Sequence, residues 1–440
     1  MSFGIGNIAF ILAFAVAIFF FVRNIGRIRR NILLGRPEQR NDRKGERWAI
    51  MTRVALGQSK MMMRPIAGIM HIIVYLGFII INLEVLEIMI DGVFGTHRLF
   101  AFSGGFYAFL IGSFEILALL VIVACVIFLA RRWIVRIRRF CGYEMTEGPQ
   151  RDAAVILVTE ILLMLAFLNW NASDQVLAAR GIGPYIEAGS FPISTMLRPL
   201  YAGLSDGSVI LFERFYWWFH ILGILAFLNY LVISKHLHII LAFPNVWYSK
   251  LKPRTEMKNM DKVTQEVKLM LDPSLPPPTV DPNAPIERFG AKDVFDLSWK
   301  SLLDAYSCTE CGRCSSECPA TITGKLLSPR KIVMNTRDRL EEVGRNINQN
   351  GEFKDDGKDL FSWIKDEELW ACTTCNACTL ACPVNIDPVH IITEMRRYLV
   401  MEQSSTRPAL TSMFNNVENN GAPWAFGPDR RLEWTEGTEA

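Results

Sequence analysis

The sequence predicts an all-α protein in which a bundle of five membrane-spanning helices is followed by a smaller soluble helical domain. Three observations lead to this prediction. Half of the 440 residues are apolar and 21% are charged, against about 25% charged in an ordinary soluble domain. The apolar excess lies almost wholly before residue 245. Eight of the ten cysteines follow residue 300 in two groups, which indicates metal binding rather than disulfides. Together these features exclude a single soluble globule, a disordered chain and a nucleic-acid-binding module.

Five apolar stretches are long enough to cross the hydrocarbon core of a bilayer, which takes about 20 helical residues. The predicted spans are 3–23, 65–91, 105–130, 153–170 and 212–243. The fourth of these is the shortest. We therefore expect the lipid bilayer to be the immediate environment of the first half of the chain.

The charge of the loops predicts the orientation of the bundle. Segment 27–64 carries eleven Lys and Arg residues and segment 131–151 carries six, whereas the two opposite loops carry one and two. Lys and Arg are retained on the cytoplasmic side of a membrane. The sequence therefore predicts a protein of the cytoplasmic (inner) membrane with its N-terminus outside and everything after the fifth span in the cytoplasm.

Two histidines at matching depth predict a haem site. His71 lies six residues after Pro65, and His238 lies six residues before Pro244. If both prolines mark the cytoplasmic border of their helices, the two imidazoles face each other and supply both axial ligands of a b-type haem. The alternative is that each histidine only forms a hydrogen bond to a neighbouring helix.

His220 is the candidate ligand for a second haem. It precedes His238 by 18 residues, so in a continuous helix both project from one face about 27 Å apart. Its partner is left open between His97 and Met89, and a second haem need not exist. The remaining histidines are predicted to lie at the membrane border or on the surface: His236 and His390.

Acidic residues in or beside the spans are candidates for proton exchange with a membrane quinone. They are Glu84, Glu87, Asp91, Glu115 and Glu160. For each of them, a hydrogen bond to a neighbouring helix or exposure at a helix end is the simpler interpretation.

The segment WWFHILGILAFLNYLVISKHLH (217–238) resembles the cytochrome b (gamma) subunit of respiratory nitrate reductase. That family holds two stacked haems between two histidines of its second span and two of its fifth. His71, His220 and His238 match three of these positions, and the fourth falls at Ile81, which cannot bind iron. Over residues 1 to about 250, the resemblance implies an inner haem b and leaves a second haem without a full ligand set.

Two cysteine cassettes form the strongest motif. The run CTECGRCSSECP and the run CTTCNACTLACP each follow the pattern C-x2-C-x2-C-x3-C-P. This pattern is typical of two [4Fe–4S] clusters, each of which takes its fourth thiolate from the other cassette. The predicted ligands of cluster one are Cys308, Cys311, Cys314 and Cys382. The predicted ligands of cluster two are Cys372, Cys375, Cys378 and Cys318. Zinc is the alternative, but it does not explain a third regularly spaced Cys or the repeated Cys-Pro ending.

The segments DLSWKSLLDAYSCTECGRCSSECPA and LWACTTCNACTLACPV resemble the membrane iron–sulfur oxidoreductases related to heterodisulfide reductase electron-transfer subunits. This resemblance implies an α-helical ferredoxin domain. The tail NNGAPWAFGPDRRLEW resembles the stretch that leads, in that family, into a cysteine-rich module with Cys-Cys-Gly repeats. It implies a separate cytoplasmic subunit, either of that cysteine-rich type or a flavoprotein.

These observations predict four regions. They are a transmembrane cytochrome b-like domain (1–250), a Pro-rich linker (251–288), an α-helical dicluster ferredoxin domain (289–405) and an irregular tail for partner docking (406–440). The expected function is that of a membrane electron-transfer subunit of a quinone-linked oxidoreductase. It would pass electrons between a cytoplasmic partner, two [4Fe–4S] clusters, haem b and quinone. The alternative is a non-catalytic membrane anchor and electron conduit without its own quinone site, and a redox sensor or cluster-assembly protein is a third, weaker interpretation.

Overall fold

A computed structural model describes residues 4–276 and 288–437 of the chain. Within these residues there is no strand, and the only β-type pairing is an isolated parallel bridge between Arg36 and Ser298. The helices of the first half are α1 (Ile5–Ile32), α2 (Lys44–Met51), α3 (Pro65–Phe94), α4 (Gly105–Trp133), α5 (Glu147–Ala179), α6 (Pro199–Ala202), α7 (Asp206–Ile233), α8 (His238–Trp247) and α9 (Asp261–Leu271). Those of the second half are α10 (Trp299–Tyr306), α11 (Arg313–Ser316), α12 (Pro319–Ile322), α13 (Pro329–Asn350), α14 (Asp366–Trp370), α15 (Ala377–Ala381), α16 (Pro388–Met401) and α17 (Pro408–Asn420).

Among the residues that the structure describes, five helices are long and apolar enough to cross a membrane: α1, α3, α4, α5 and α7. This number confirms the prediction, but the fourth helix has 33 residues and is the longest of the five rather than the shortest. The second half of this helix was not predicted, because polar residues interrupt the apolar sequence there. Asn171, Ser173 and Asp174 interrupt the apolar run, yet each is at most 1% exposed because it faces the inside of the bundle.

The bundle has an apolar interior and an apolar exterior. Helix α5 packs against α4 and α7, α3 packs against α4, and α1 packs against α3 and α7. Phe10, Phe167 and Ile221 are fully buried at these contacts. Large apolar side chains such as Phe109 and Leu211 are exposed on the outer surface, which is the pattern of a lipid-facing bundle.

The fifth span ends earlier than predicted. Helix α7 stops at Ile233, Ser234 is extended (φ −118°, ψ 166°), and a 3-10 turn over Lys235–Leu237 leads into α8. The Ser234 side chain accepts a hydrogen bond from the backbone N–H of His236, at 3.2 Å, and so caps the new turn. The prediction of one continuous helix over 212–243 is therefore wrong. Pro244 does not mark a helix border either, because it lies inside α8.

The second half of the chain packs against one end of the bundle, which we call the proximal end. This end comprises the C-terminal ends of α1, α4 and α7 and the N-terminal ends of α3 and α5. Asn31 of α1 donates a buried hydrogen bond to the Tyr306 hydroxyl, at 3.0 Å. Arg330 of α13 donates to the carbonyl of Arg139, at 2.8 Å, and pairs with Glu144, at 2.7 Å. Both basic segments identified in the sequence, 27–64 and 131–151, therefore lie at the proximal end.

Two of the four predicted regions differ from expectation. The segment predicted as a linker contains helix α9, while its Pro-rich part, 277–287, lies outside the described residues. The tail is not irregular. It forms α17, which starts with Pro408 at its first position and ends at Gly421 in the left-handed region (φ 65°), followed by a 3-10 stretch over Pro428–Thr435. A proline at the first position and a glycine after the last are ordinary helix boundaries. Taken together, Pro408 and Gly421 therefore predict this helix.

Candidate redox centres

The two cysteine cassettes adopt the same backbone geometry. Glu310 and Thr374, each just before the second Cys of its cassette, both have φ of 55°. Gly312 and Asn376, each just after that Cys, have φ of 71° and 59°. Alternation between right- and left-handed conformations turns successive N–H groups to one side and forms a concavity that suits an anionic group. Each cassette loop is therefore shaped to hold a negatively charged cluster.

The first three cysteines of the first cassette meet the last cysteine of the second. Burial raises the pKa of the Cys314 thiol well above its ordinary value, and the charges of Cys311, Cys308 and Cys382 raise it further, followed by that of Cys378 of the second cassette. Burial likewise raises the pKa of Cys382 to about 11, and Cys311 is the largest charged contributor. Because such interactions require proximity, these four thiols lie together.

The other four cysteines form the reciprocal set. Burial raises the pKa of the Cys378 thiol, and the charges of Cys372 and Cys318 add to this rise. The pKa of Cys372 is raised by burial first and then by Cys318 and Cys375. Cys318, the fourth Cys of the first cassette, is thus near Cys372 and Cys378 of the second cassette.

The arrangement suits clusters better than single ions. Within the part of the chain that the structure describes, no group of three or more His, Cys, Asp or Glu side chains is close enough to hold one metal ion. Each iron of a [4Fe–4S] cubane takes its own thiolate, so the thiolates around a cubane lie farther apart than the ligands of a zinc ion.

Backbone and cationic groups surround the thiols. The N–H of Thr374 donates to Cys372 Sγ at 3.4 Å, and the N–H of Ile386 donates to Cys382 Sγ at 3.3 Å. Arg396 donates to the carbonyl of Cys372 at 2.5 Å. Hydrogen bonds and positive charge around the sulfurs stabilise the more reduced state of a cluster and so raise its potential.

The structure brings His71 of α3 beside His238 of α8. The ring centroids are 6.3 Å apart and the rings are inclined by 44°. His238 Nδ1 lies 3.0 Å from the carbonyl oxygen of Lys235, to which it can donate, so that Nε2 is left as its ligating atom. Nδ1 of His71 is buried without a hydrogen-bond partner. The sequence paired these two residues on the assumption of a continuous fifth helix, yet they meet although that helix is broken.

His236 is a third imidazole in the same group. Its ring centroid is 5.8 Å from that of His238, it is 9% exposed, and its Nδ1 has no hydrogen-bond partner. His236 is therefore buried rather than on the surface, although the turn that carries it directly follows the end of α7, at the membrane border. In a continuous helix, at about 100° per residue, His236 would point away from the face that carries His220 and His238. The break at Ser234 changes the direction of the segment and brings His236 beside His238 instead. The Ser at position 234, a good N-cap residue, was the signal that could have revealed it.

His220 is buried apart from this group. It is 1% exposed, its Nδ1 lies 2.9 Å from the carbonyl of Leu163, and its ring lies against Phe167. Among the described residues no second histidine contacts its ring. His97, one of the two proposed partners, is instead bonded through Nε2 to Asp174 at 3.0 Å.

The acids of the spans fall into two kinds. Glu87 accepts hydrogen bonds from the N–H of Phe100 at 2.7 Å and from the Tyr107 hydroxyl at 3.0 Å, and Glu115 accepts from the N–H of Ile193 at 2.9 Å. These two are explained by hydrogen bonding. Glu84 is not, because it is 2% exposed and neither of its carboxyl oxygens has a partner.

An ion pair connects the first cassette to the histidine group. Glu310, which lies between Cys308 and Cys311, is paired with Lys235 Nζ, and the carbonyl of the same Lys235 faces His238 Nδ1. The loop around the predicted cluster one therefore contacts, through the pair of Glu310 and Lys235, the segment that carries the predicted axial ligand His238. Sequence reasoning did not identify either member of this pair.

Comparison with known proteins places this geometry in context. Residues 307–386 match the family model of the 4Fe-4S dicluster domain. The chain is similar to the probable iron-sulfur-binding oxidoreductase FadF of Bacillus subtilis, with 27% identity over 97% of this chain and 60% of that protein. It is also similar to the EtfAB:quinone oxidoreductase of Syntrophomonas wolfei, with 24% identity over 92% of this chain and 56% of that protein. No solved structure matches.

A third relative is similar over a shorter part of the chain. It is the C subunit of the ferredoxin/F(420)H(2)-dependent CoB-CoM heterodisulfide reductase of Methanosarcina acetivorans, which is 33% identical over 26% of this chain and 56% of its own length. The chain thus spans 60% and 56% of the length of the two longer relatives. The homologues are iron–sulfur oxidoreductases and heterodisulfide reductase C subunits, and what they share with this chain is a dicluster domain for [4Fe–4S] centres.

Proposed function

We propose that the chain is the membrane electron-transfer subunit of a quinone-linked oxidoreductase. Electrons pass between a cytoplasmic redox partner, the two [4Fe–4S] clusters, a haem b and a membrane quinone. The observation that carries the proposal is the direct contact, through Glu310 and Lys235, between the first cassette and the histidine group. A carrier that only anchored a ferredoxin would not need these two parts to touch.

The iron–sulfur half of the proposal is supported by the two reciprocal sets of four cysteines. Cluster one is assigned to Cys308, Cys311, Cys314 and Cys382. Cluster two is assigned to Cys372, Cys375, Cys378 and Cys318. The match of residues 307–386 to the dicluster model supports two [4Fe–4S] clusters in this region, and we propose the segment 289–405 as an α-helical ferredoxin domain that holds them.

The haem half of the proposal is supported by the fit of His71 and His238. Two imidazoles that bind one metal through bonds of about 2 Å have ring centroids roughly 6 Å apart, and the observed separation is 6.3 Å. The buried Nδ1 of His71 lacks a partner and the Nδ1 of His238 faces a carbonyl, so each ring has a nitrogen free for iron. Haem bound here supplies one-electron transfer. His220 would hold a second haem only with a second ligand, and among the described residues no other histidine contacts its ring.

The orientation follows from the proximal end. Both basic segments lie there, and Lys and Arg stay on the cytoplasmic side, so the cysteine cassettes face the cytoplasm and the N-terminus lies outside. EtfAB:quinone oxidoreductase is the name of one relative. A flavoprotein, or a cysteine-rich subunit of the Cys-Cys-Gly type, is accordingly the partner proposed for the cytoplasmic face.

The test combines composition with spectroscopy. The purified chain should contain eight non-haem irons, eight acid-labile sulfides and at least one protohaem, and quinol should reduce the haem in difference spectra. His71→Ala and His238→Ala should each abolish the haem signal and keep the sulfide content. The matched control is His390→Ala, a partly exposed histidine on α16, which should keep both. Zinc in place of iron would refute the iron–sulfur half, and a full haem signal in both variants would refute the axial pair.

A further inference from the structure

A cavity lies where the proximal end of the bundle meets the cysteine-rich half. Its volume is about 560 Å³, within the range of about 300–1,000 Å³ that is usual for small-molecule sites. The walls come from the start of α5, the end of α7 and its following turn, α13, and the first cassette. Its lining includes Ile233, Lys235, Tyr306, Glu310 and Met334.

The cavity touches both predicted redox centres. Glu310 forms part of its wall and belongs to the loop between Cys308 and Cys311. Lys235 forms the facing wall, pairs with Glu310, and offers its carbonyl to His238. A molecule held here is therefore next to the loop of cluster one and next to the segment of the proposed haem ligand.

One side of the cavity is open to lipid and the other to water. Ile233 is the last residue of a membrane-spanning helix and is 73% exposed, and Val232 and Leu237 line the cavity beside it. Asp338 and Glu341 line the opposite side on the surface of α13. This gradient suits a ligand with an apolar tail and a polar head.

The charges of the cavity disfavour an anionic head group. Five acidic residues line it against three basic ones, and all three bases are already paired. Lys235 pairs with Glu310, Arg337 pairs with Glu310 at 2.9 Å, and Lys331 pairs with Glu368 at 2.8 Å. No cation in the lining is left for a phosphate, so an anionic lipid is a poor occupant.

A neutral head group with hydrogen-bond acceptors fits better. The buried Tyr306 hydroxyl accepts the hydrogen bond of Asn31, which leaves its own hydrogen for a ligand. A quinone carries two carbonyl acceptors and an isoprenoid tail. Its ring would fit beside Tyr306 and Met334, and the tail would leave past Ile233 into the bilayer.

We propose that this cavity is the site at which the ring of a membrane quinone binds and exchanges electrons with the chain. The inference rests on the proposed function and adds the location and the contacting residues. In the direction of reduction, the ring takes two electrons, one at a time, from the centres on either side, which a reduced cytoplasmic flavoprotein replenishes. It also takes two protons from water on the charged side, and it leaves as quinol.

The test measures binding in the intact chain with its clusters, in detergent or nanodiscs. The probe is 2-heptyl-4-hydroxyquinoline N-oxide, a fluorescent quinone analogue whose emission is quenched on binding. Ile233→Trp narrows the lipid-facing mouth and should raise the Kd at least tenfold, and Tyr306→Phe should raise it several-fold. The matched control is Ile134→Trp. Ile134 directly follows the last residue of α4, is 81% exposed and does not line the cavity. The Kd of the Ile134→Trp variant should therefore stay within twofold of the wild-type value.

Photolabelling with an azido-naphthoquinone locates the probe directly, and the label should appear on peptides that contain 232–237, 306 or 334. Equal Kd values for the wild type and Ile233→Trp, or a label near Glu84 at the far end of the bundle, would overturn this inference and leave the quinone-linked function intact. A wild-type chain that binds neither probe would overturn both.

Discussion

Replacement of Arg330 by Met should open the contact between the bundle and the first cassette. The Arg330 side chain is 2% exposed, and it bonds Glu144 through Nε at 3.0 Å and Nη2 at 2.7 Å, the carbonyl of Arg139 at 2.8 Å and the carbonyl of Glu310 at 3.3 Å. Removal of one partner of such a buried pair costs about 3–5 kcal/mol, because the other charge stays buried and unpaired. At about 1.4 kcal/mol per factor of ten, the opening equilibrium of this contact should rise by roughly two to three orders of magnitude.

Hydrogen exchange followed by mass spectrometry measures this opening directly. Peptides that contain 139–144 and 308–314 should exchange roughly 10²- to 10³-fold faster in Arg330→Met, while peptides from α5 and α7 should be unchanged. Arg345→Met is the control on the same helix. Its side chain is 62% exposed and its pair with Glu341 is long, at 3.7 Å, so exchange should change little. The double variant Arg330→Met/Glu144→Leu should recover part of the loss, because no charge is left unpaired. Unchanged exchange in Arg330→Met would refute the reasoning.

Three further predictions concern stability. Gly344→Ala places a Cβ in steric overlap with the side-chain amide of Asn31 and should lower the free energy of unfolding by about 1–3 kcal/mol. The control Gly26→Ala, whose Cβ has nothing within 4 Å, should not lower it. Equal thermal midpoints for the two variants would contradict this prediction. Glu84→Leu removes two buried oxygens without partners and should leave the thermal midpoint unchanged or raise it; a clear fall would reveal a partner for this carboxyl. Burial lowers the pKa of Lys60 from 10.5 to about 8, so between these pH values the unfolded chain binds more protons and the stability of the wild type should rise with pH. Lys60→Met should lack this rise, and parallel pH profiles of unfolding would refute it.

The sequence predicted the parts of the fold that depend on local pattern. Five apolar runs gave five long helices, and two C-x2-C-x2-C-x3-C-P cassettes gave two loops of the same geometry. The start of α16 is equally local, because Pro388 is its first residue and the Asp387 side chain accepts the N–H of His390 at 3.2 Å. Each of these features is set by neighbours within a few residues along the chain, which is why pattern alone was sufficient.

The features that sequence reasoning missed depend on distant contacts. The run of α5 through Asn171 and Asp174 is stable in the bundle because these polar groups bond to other segments. Asn171 donates to Glu115 of α4 at 3.2 Å, and Asp174 pairs with Arg98 of the loop after α3 at 2.6 Å. His236 was misplaced because the turn at Ser234 changes the direction of every side chain after it. The pair of Lys235 and Glu310 joins residues 75 positions apart, and no spacing rule in the sequence identifies such a contact.

The buried bonds of Asn31 and Arg330 at the proximal end have a consequence for how the molecule works. They hold the cysteine-rich half of the chain against the proximal end of the bundle. This half therefore cannot move as a tethered domain between a distant electron donor and the bilayer. The distance between the first cysteine cassette and the imidazoles of His71 and His238 is then fixed. Under the proposed function, a soluble redox partner would therefore have to bind at this one fixed position on the cysteine-rich half to exchange electrons with it.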